Sequence, residues 1–140
     1  VDLIFADWVL EHIDDPTTLG TEIGRVLKRG GWFCARTPNR WGYIGIATNL
    51  VPNRLHTKLF SIVQPSRKTR DVFPTRYRMN TSGTLQRVFD HKSYDLIVYG
   101  VNSEPAYCGS SILLWRLMQF VFRITPPGLE AQLLIFARKK

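Results

Sequence analysis

Cysteine and histidine are scarce in this chain of 140 residues, with two of the first and three of the second. Cys34 and Cys108 stand far apart and form no C-x-x-C, and the scattered histidines add no zinc-ligand spacing. The pattern suits a reducing cytoplasm, and Cys34, inside an apolar run, is expected to be a small core residue. No basic stretch followed by an apolar run and a cleavage site opens the chain, so no signal peptide is visible. The most apolar stretch, Ile112–Ile124, falls short of the roughly 20 residues a membrane-spanning helix needs. Acidic residues are few: 11 against 19 Lys and Arg, giving a net charge of +8 and a pI near 9.9. That balance admits nucleic acid, an anionic membrane surface or an acidic substrate as partner and says nothing about fold. An initiating methionine is also missing, and Val1 already lies within the first apolar run, which leads us to expect a fragment of a longer reading frame.

What is present is ordinary for a globular domain: 44% of the residues are hydrophobic, and the length suits one domain with a real core. The organising stretch is VDLIFADWVLEHIDDPTTLGTEIGRVLKRGGWFCARTPN, residues 1–39. Val1–Phe5 predicts a short strand with Asp7 at its carboxyl end, and Trp32–Ala35 a second. Asp15 and Pro16 between them make a helix start, an acid able to cap and a proline suited to the first turn. Leu19, Ile23, Val26 and Leu27 recur at helical spacing and are expected to face a sheet. Arg25, Lys28 and Arg29 suit the negative end of the helix, and Gly30-Gly31 the turn that leaves it. The product is a strand–helix–strand unit with parallel strands and a right-handed crossover. In such sheets ligands sit outside the carboxyl ends of the strands, here Ala6–Trp8 and Arg36–Asn39.

Beyond Asn39 the pattern loosens. Residues 40–63 predict one or two short helices broken near Pro52-Asn53, and residues 64–78 a polar, basic loop. A helix is expected over Ser82–Phe89, capped by Thr81 or Ser82, then a buried strand over Ser93–Asn102. Ile112–Ile124 is a strongly apolar helix with Arg116, Gln119 and Arg123 close to one narrow stripe, ended by Thr125-Pro126-Pro127-Gly128. Leu133–Ala137 is a last strand. The divisions are 1–39, a strand–helix–strand core; 40–80, an insertion or acceptor region; and 81–140, helix, strand, apolar helix and final strand.

The words DLIFADWVLEHIDDP, EIGRVLKRGGWF and TPN, in that order and spacing, resemble the second half of a class I S-adenosylmethionine-dependent methyltransferase of the small-molecule type. The resemblance covers residues 1–39 well, and 77–102 and 132–138 in outline. It implies an α/β, Rossmann-like sheet of about four strands in the family order 4-5-7-6, the last one antiparallel, with flanking helices. It implies S-adenosyl-L-methionine as cofactor and Ala6, Asp7 and Trp8 as cofactor-binding residues. The family's Gly-rich loop and its acid after the second strand have no counterpart here. The family strand at position 4 would then be an exposed edge, an aggregation liability.

Each candidate residue has a plainer alternative. Asp7 could simply cap the turn that follows it. His12 is the candidate catalytic base, since a histidine exchanges protons near neutral pH. Its alternative is a structural hydrogen bond, and as a sequence neighbour of Glu11 it is not expected to share a face with it. Arg36, Asn39, Arg40, Trp41 and Tyr43 follow the second strand: arginine can bind an acid group of an acceptor and aromatics can stack on it. The alternative is a polar loop with rings folded onto the core. The basic group Arg54, His56, Lys58, Arg67, Lys68, Arg70, Arg76 and Arg78 could hold phosphate or anionic lipid, or be a solvated face. No nucleic-acid motif accompanies it, so nucleic acid is an unfavoured partner.

Two functions emerge as expectations. One is the C-terminal part of a methyltransferase acting on a small molecule, lipid-like or acidic, and inactive alone for want of the Gly-rich loop. The other is a non-catalytic membrane- or partner-binding module using residues 112–124 and the basic loop. The expected location is cytoplasmic with peripheral membrane contact open. No metal is expected, and the oligomeric state is left open.

Overall fold

A computed structural model of the chain describes residues 1–43, 45–46, 74–103 and 111–140. Most of the expected helical stretch 40–63, and the basic group from Arg54 to Arg70, lie outside the described residues.

Among the described residues, four strands form one sheet: β1 (Leu3–Asp7), β2 (Trp32–Pro38), β3 (Tyr94–Val101) and β4 (Gln132–Lys139). Helix α1 (Pro16–Val26) joins β1 to β2, α2 (Ser82–Val88) precedes β3, and α3 (Ile112–Ile124) precedes β4. The spatial order is β1-β2-β4-β3. β1 and β2 are parallel, with Phe5 opposite Cys34 and Asp7 opposite Arg36. β4 is antiparallel to both of its neighbours, β2 and β3. This is the order 4-5-7-6 in family numbering, and it brings the carboxyl ends of β1, β2 and β3 to one rim. The first two strands run further than the apolar runs suggest: β1 ends on Asp7 and β2 continues to Pro38.

Helix α1 forms where its local signals place it. Asp15 caps it, accepting from the amides of Thr17 and Thr18 at 3.0 and 3.2 Å and from the Thr18 hydroxyl. Gly30 takes a φ of +78°, the left-handed geometry that lets the chain leave the helix. Ile23 and Leu27 are buried and Leu19 packs beside them. Val26 does not follow: it is exposed, because only one narrow face of an eleven-residue helix can meet the sheet. Helix α2 is capped by Thr81, whose hydroxyl accepts from the Thr84 amide at 3.2 Å.

The core lies between the two helices and one sheet face. Phe33 and Ala35 of β2 and Leu133, Ile135 and Ala137 of β4 point into it, with Ile23, Leu27, Leu85 and Phe89 above. Phe89 sits at its centre, stacked on Phe33 with ring centroids 5.2 Å apart and edge-on to Tyr94 at 5.2 Å. The opposite sheet face carries Leu3, Phe5, Trp32, Ile97 and Tyr99, all exposed. Cys34 points to that side and is half-buried, not a core residue, because strand alternation gives the core to Phe33 and Ala35. Partial burial still pushes its thiol pKa up. On the β1 side the sheet ends in an edge with no partner among the described residues.

Candidate active-site rim

The rim is built from the last residues of β1 and β2 and the segments that cross them. Asp7 and Arg36 are register partners, so their side chains leave the same face of the sheet. The Arg36 guanidinium grips the Asp7 carboxylate through two bonds, Nε to Oδ1 at 2.7 Å and Nη2 to Oδ2 at 2.8 Å. That bidentate hydrogen bonding, reinforced by the guanidinium charge, holds the Asp7 pKa below the ordinary carboxylate range. The same pairing raises Arg36 further. Arg36 also lies 5.3 Å from the Trp8 ring centroid, a cation–π contact. Ala6 is half-buried against the core. Asp7, Trp8 and Arg36 thus form one cluster at the crevice, and Asp7 does not act as the cap of the next turn.

Trp8 carries backbone strain. Its φ is +55°, a left-handed conformation that a bulky residue seldom adopts. Its amide donates to the Arg36 carbonyl at 3.0 Å, extending the parallel ladder one residue past β1. Tyr77 is the other non-glycine residue with positive φ among those described, at +51°, and it belongs to the segment that crosses the same rim. Strain of this kind persists where the surroundings over-determine a conformation, and it gathers at ligand sites.

After Trp8 the chain makes a single 3-10 turn, Leu10–His12. Residues 74–78 clasp it. The Glu11 carbonyl accepts from the amides of Arg76 and Tyr77 at 2.6 and 3.2 Å. The Arg76 guanidinium pairs with Asp14 at 3.0 Å, and Arg78 donates to the Asp14 carbonyl at 2.9 Å. His12 Nδ1 lies 3.1 Å from the Pro74 carbonyl oxygen. Because a carbonyl can only accept, Nδ1 carries the proton of this bond. Nε2 stands 4.0 Å from Glu11 Oε1, so the two neighbours do meet, the tight 3-10 turn bringing them together where an α-helix would not.

Three buried polar residues beneath the rim escape a reading by motif. Glu11 is buried and accepts from the Thr37 hydroxyl at 3.2 Å. The Asn80 amide donates to Thr37 Oγ1 at 2.7 Å and to the Pro38 carbonyl at 2.9 Å. Asn80 Oδ1 is buried with no hydrogen-bond partner among the described residues. One signal was available: Thr37 occupies the inward position after Phe33 and Ala35, and a hydroxyl there demands a partner. Asn80 and Glu11 are too distant in sequence for any local pattern to join them.

The expected acceptor residues divide. Asn39 is not at the crevice mouth. It is only 2% exposed, its amide donates to the carbonyls of Gly128 and Glu130 at 2.9 Å each, and its Oδ1 accepts from the Trp41 amide at 3.1 Å. It fastens the end of β2 to the approach to β4. Trp41 is 55% exposed with the Arg40 guanidinium 5.7 Å from its centroid. Tyr43 leans on Phe122 of α3, centroids 5.5 Å apart. Among the described residues no group of acidic, histidine or cysteine side chains could hold a metal. An open groove of about 1000 Å³ lies elsewhere, between α1 and α2, lined by Thr17, Gly24, Arg87 and Tyr94 among others.

Residues 1–35 match the model of the methyltransferase domain family. No curated protein matches the chain by sequence. Among solved structures, a S-adenosylmethionine-dependent methyltransferase from Thermotoga maritima, described as a possible histamine N-methyltransferase, is 18% identical, covers 99% of this chain and 56% of its own, and superposes with a TM-score of 0.58. Another from Archaeoglobus fulgidus is 15% identical, covers 100% of this chain and 59% of its own, with a TM-score of 0.46. The chain spans somewhat more than half the length of these structures, and the Thermotoga maritima superposition gives it the fold of a class I S-adenosylmethionine-dependent methyltransferase.

Proposed function

We propose that this chain forms the acceptor side and one wall of the cofactor site in a S-adenosyl-L-methionine-dependent methyltransferase acting on a small molecule. The observation that carries the reading is the rim cluster of Asp7, Trp8 and Arg36, with Trp8 strained at the carboxyl end of a parallel strand. The residues suit one side of the cofactor. Each Asp7 oxygen accepts one bond from Arg36 and keeps a second lone pair for a hydroxyl donor. Trp8, still 38% exposed, offers an aromatic surface beside it. When bound, the cofactor supplies an electrophilic methyl group on a sulfonium, transferred to an oxygen, nitrogen or carbon of the acceptor. The protein's part is to align the acceptor for in-line attack. Trp41, exposed at the end of β2, is the residue placed to stack on an acceptor. In this reading His12 is the base for an acceptor hydroxyl, its ring held by the Nδ1 bond to the Pro74 carbonyl.

No two glycines in the sequence are separated by a single residue, so the backbone cradle for the cofactor's other half is missing from these 140 residues. The isolated chain is accordingly inactive and binds the cofactor weakly. Calorimetric titration with S-adenosyl-L-methionine is expected to give no saturable heat in the micromolar range, and a micromolar affinity would overturn the division of labour. In any longer, active form, His12→Gln is expected to lower kcat about a hundredfold if the acceptor must lose a proton in the step. Unchanged kcat would leave His12 a structural residue of the turn.

A further inference from the structure

Helix α3 stands apart from the rest of the fold. None of its thirteen residues is buried, although eleven of the thirteen places in ILLWRLMQFVFRI hold neither arginine nor acid. Its orientation is fixed from one side. Asn102 donates to the Phe122 carbonyl at 3.2 Å, and the Phe122 ring meets Tyr43. Phe122, Met118 and Gln119 are accordingly its less exposed residues. Leu113, exposed at 81%, and the exposed Leu117, Phe120 and Ile124 recur at i, i+4, i+7 and i+11 and so make one continuous outward stripe, with Ile112, also exposed, at the helix start beside it. Arg116 and Arg123, both exposed, run along one border of that stripe. No Asp or Glu occurs between Ser111 and Leu129.

We propose that α3 lies flat in the interface of an anionic membrane, with Leu113, Leu117, Phe120 and Ile124 among the acyl chains and Arg116 and Arg123 among the lipid phosphates. An outward apolar stripe bordered by cations, with no acid, has the charge pattern of an interfacial helix. The stripe itself offers no hydrogen-bonding side chain with which a protein groove could fix a register. The length agrees: thirteen residues make a helix of about 20 Å, long enough to lie along the surface and too short to cross. A net charge of +8 draws the chain to anionic lipid before the stripe inserts. Docking does not depend on the methyl-transfer reading, and it can be measured without cofactor.

The test is co-sedimentation of the 140-residue chain with phosphatidylcholine vesicles, with and without phosphatidylserine. Binding is expected to the phosphatidylserine vesicles at low salt and to weaken as salt rises. The pair Leu113→Asp and Phe120→Asp, both at exposed positions, is expected to weaken it by about tenfold or more while circular dichroism stays unchanged. The pair Arg116→Gln and Arg123→Gln is expected to weaken binding to phosphatidylserine vesicles about tenfold. Ile97→Asp, on the open sheet face, is expected to leave binding unchanged. The proposal is overturned by no sedimentation at low salt, by binding that survives the two α3 aspartates, or by equal loss with Ile97→Asp. It is also overturned if the two aspartates convert a dimer in vesicle-free solution to a monomer, since a second copy would then cover α3.

Discussion

Asp7 and Arg36 show how a half-exposed ion pair can matter more for position than for stability. Both side chains keep over a third of their surface in water, where such pairs contribute about 1 kcal/mol or less. The folded Asp7 pKa is depressed by the Arg36 hydrogen bonds, so its contribution is present above the ordinary carboxylate pKa and is lost as pH falls through the depressed value. Asp7→Asn is therefore expected to lower stability slightly at neutral pH and not at all in strong acid, measured by urea unfolding at the two extremes. A deficit that persists in acid would mean that packing, not charge, holds the pair. Asn39 is the opposite case, buried and engaged with three backbone groups. Asn39→Ala is expected to cost about 2–4 kcal/mol, since two carbonyls and an amide lose their partner away from water. Asn39→Asp should cost more, because a carboxylate would face two carbonyl oxygens. The position of Asn39 in TPN read equally well as a crevice residue, because its partners Gly128 and Glu130 lie some ninety residues further on.

At the scale of elements, α1 was the most legible. Its cap, first-turn proline and closing glycine each act within a few residues of the helix end they fix, and each signal agreed with the helix that forms. Packing between helices was not legible. Gly20 lies where α1 meets α2, and a Cβ there would sit 2.5 Å from Val88 Cγ1. Alanine favours helix by roughly 1 kcal/mol over glycine, but the clash, against a β-branched side chain with little freedom, is expected to outweigh the gain. Gly20→Ala should lower the thermal midpoint, and adding Val88→Ala should recover much of the loss, so that a double-mutant cycle returns a favourable coupling. Additive effects would show that the helices simply move apart. The buried Glu11–Thr37–Asn80 chain belongs to the same class. Three separate segments supply it, and only Thr37, a hydroxyl in an inward strand position, hinted at it.

At the scale of the molecule, one sheet face is covered by α1 and α2 while the other, with the β1 edge, is uncovered among the described residues. Phe5 is 70% exposed on that edge strand. An unpaired apolar edge is a template for association, so Phe5→Lys is expected to reduce light scattering by concentrated protein without lowering its unfolding midpoint. The strand order was legible because the strand–helix–strand words at the start fix parallel pairing, and the family pattern then places the last strand between its neighbours. The rim was legible as a location, at strand carboxyl ends, but not as a set of contacts. The Asp7–Arg36 grip depends on register, and the clasp of residues 74–78 over the Glu11 turn joins segments more than sixty residues apart. The central claim, that this rim is one wall of a S-adenosyl-L-methionine site, is tested most directly by amide chemical-shift mapping of the chain under roughly millimolar cofactor. The account predicts weak, fast-exchange shifts confined to Ala6–Trp8 and Arg36, and shifts centred instead on the groove between α1 and α2, or none at any position, would contradict it.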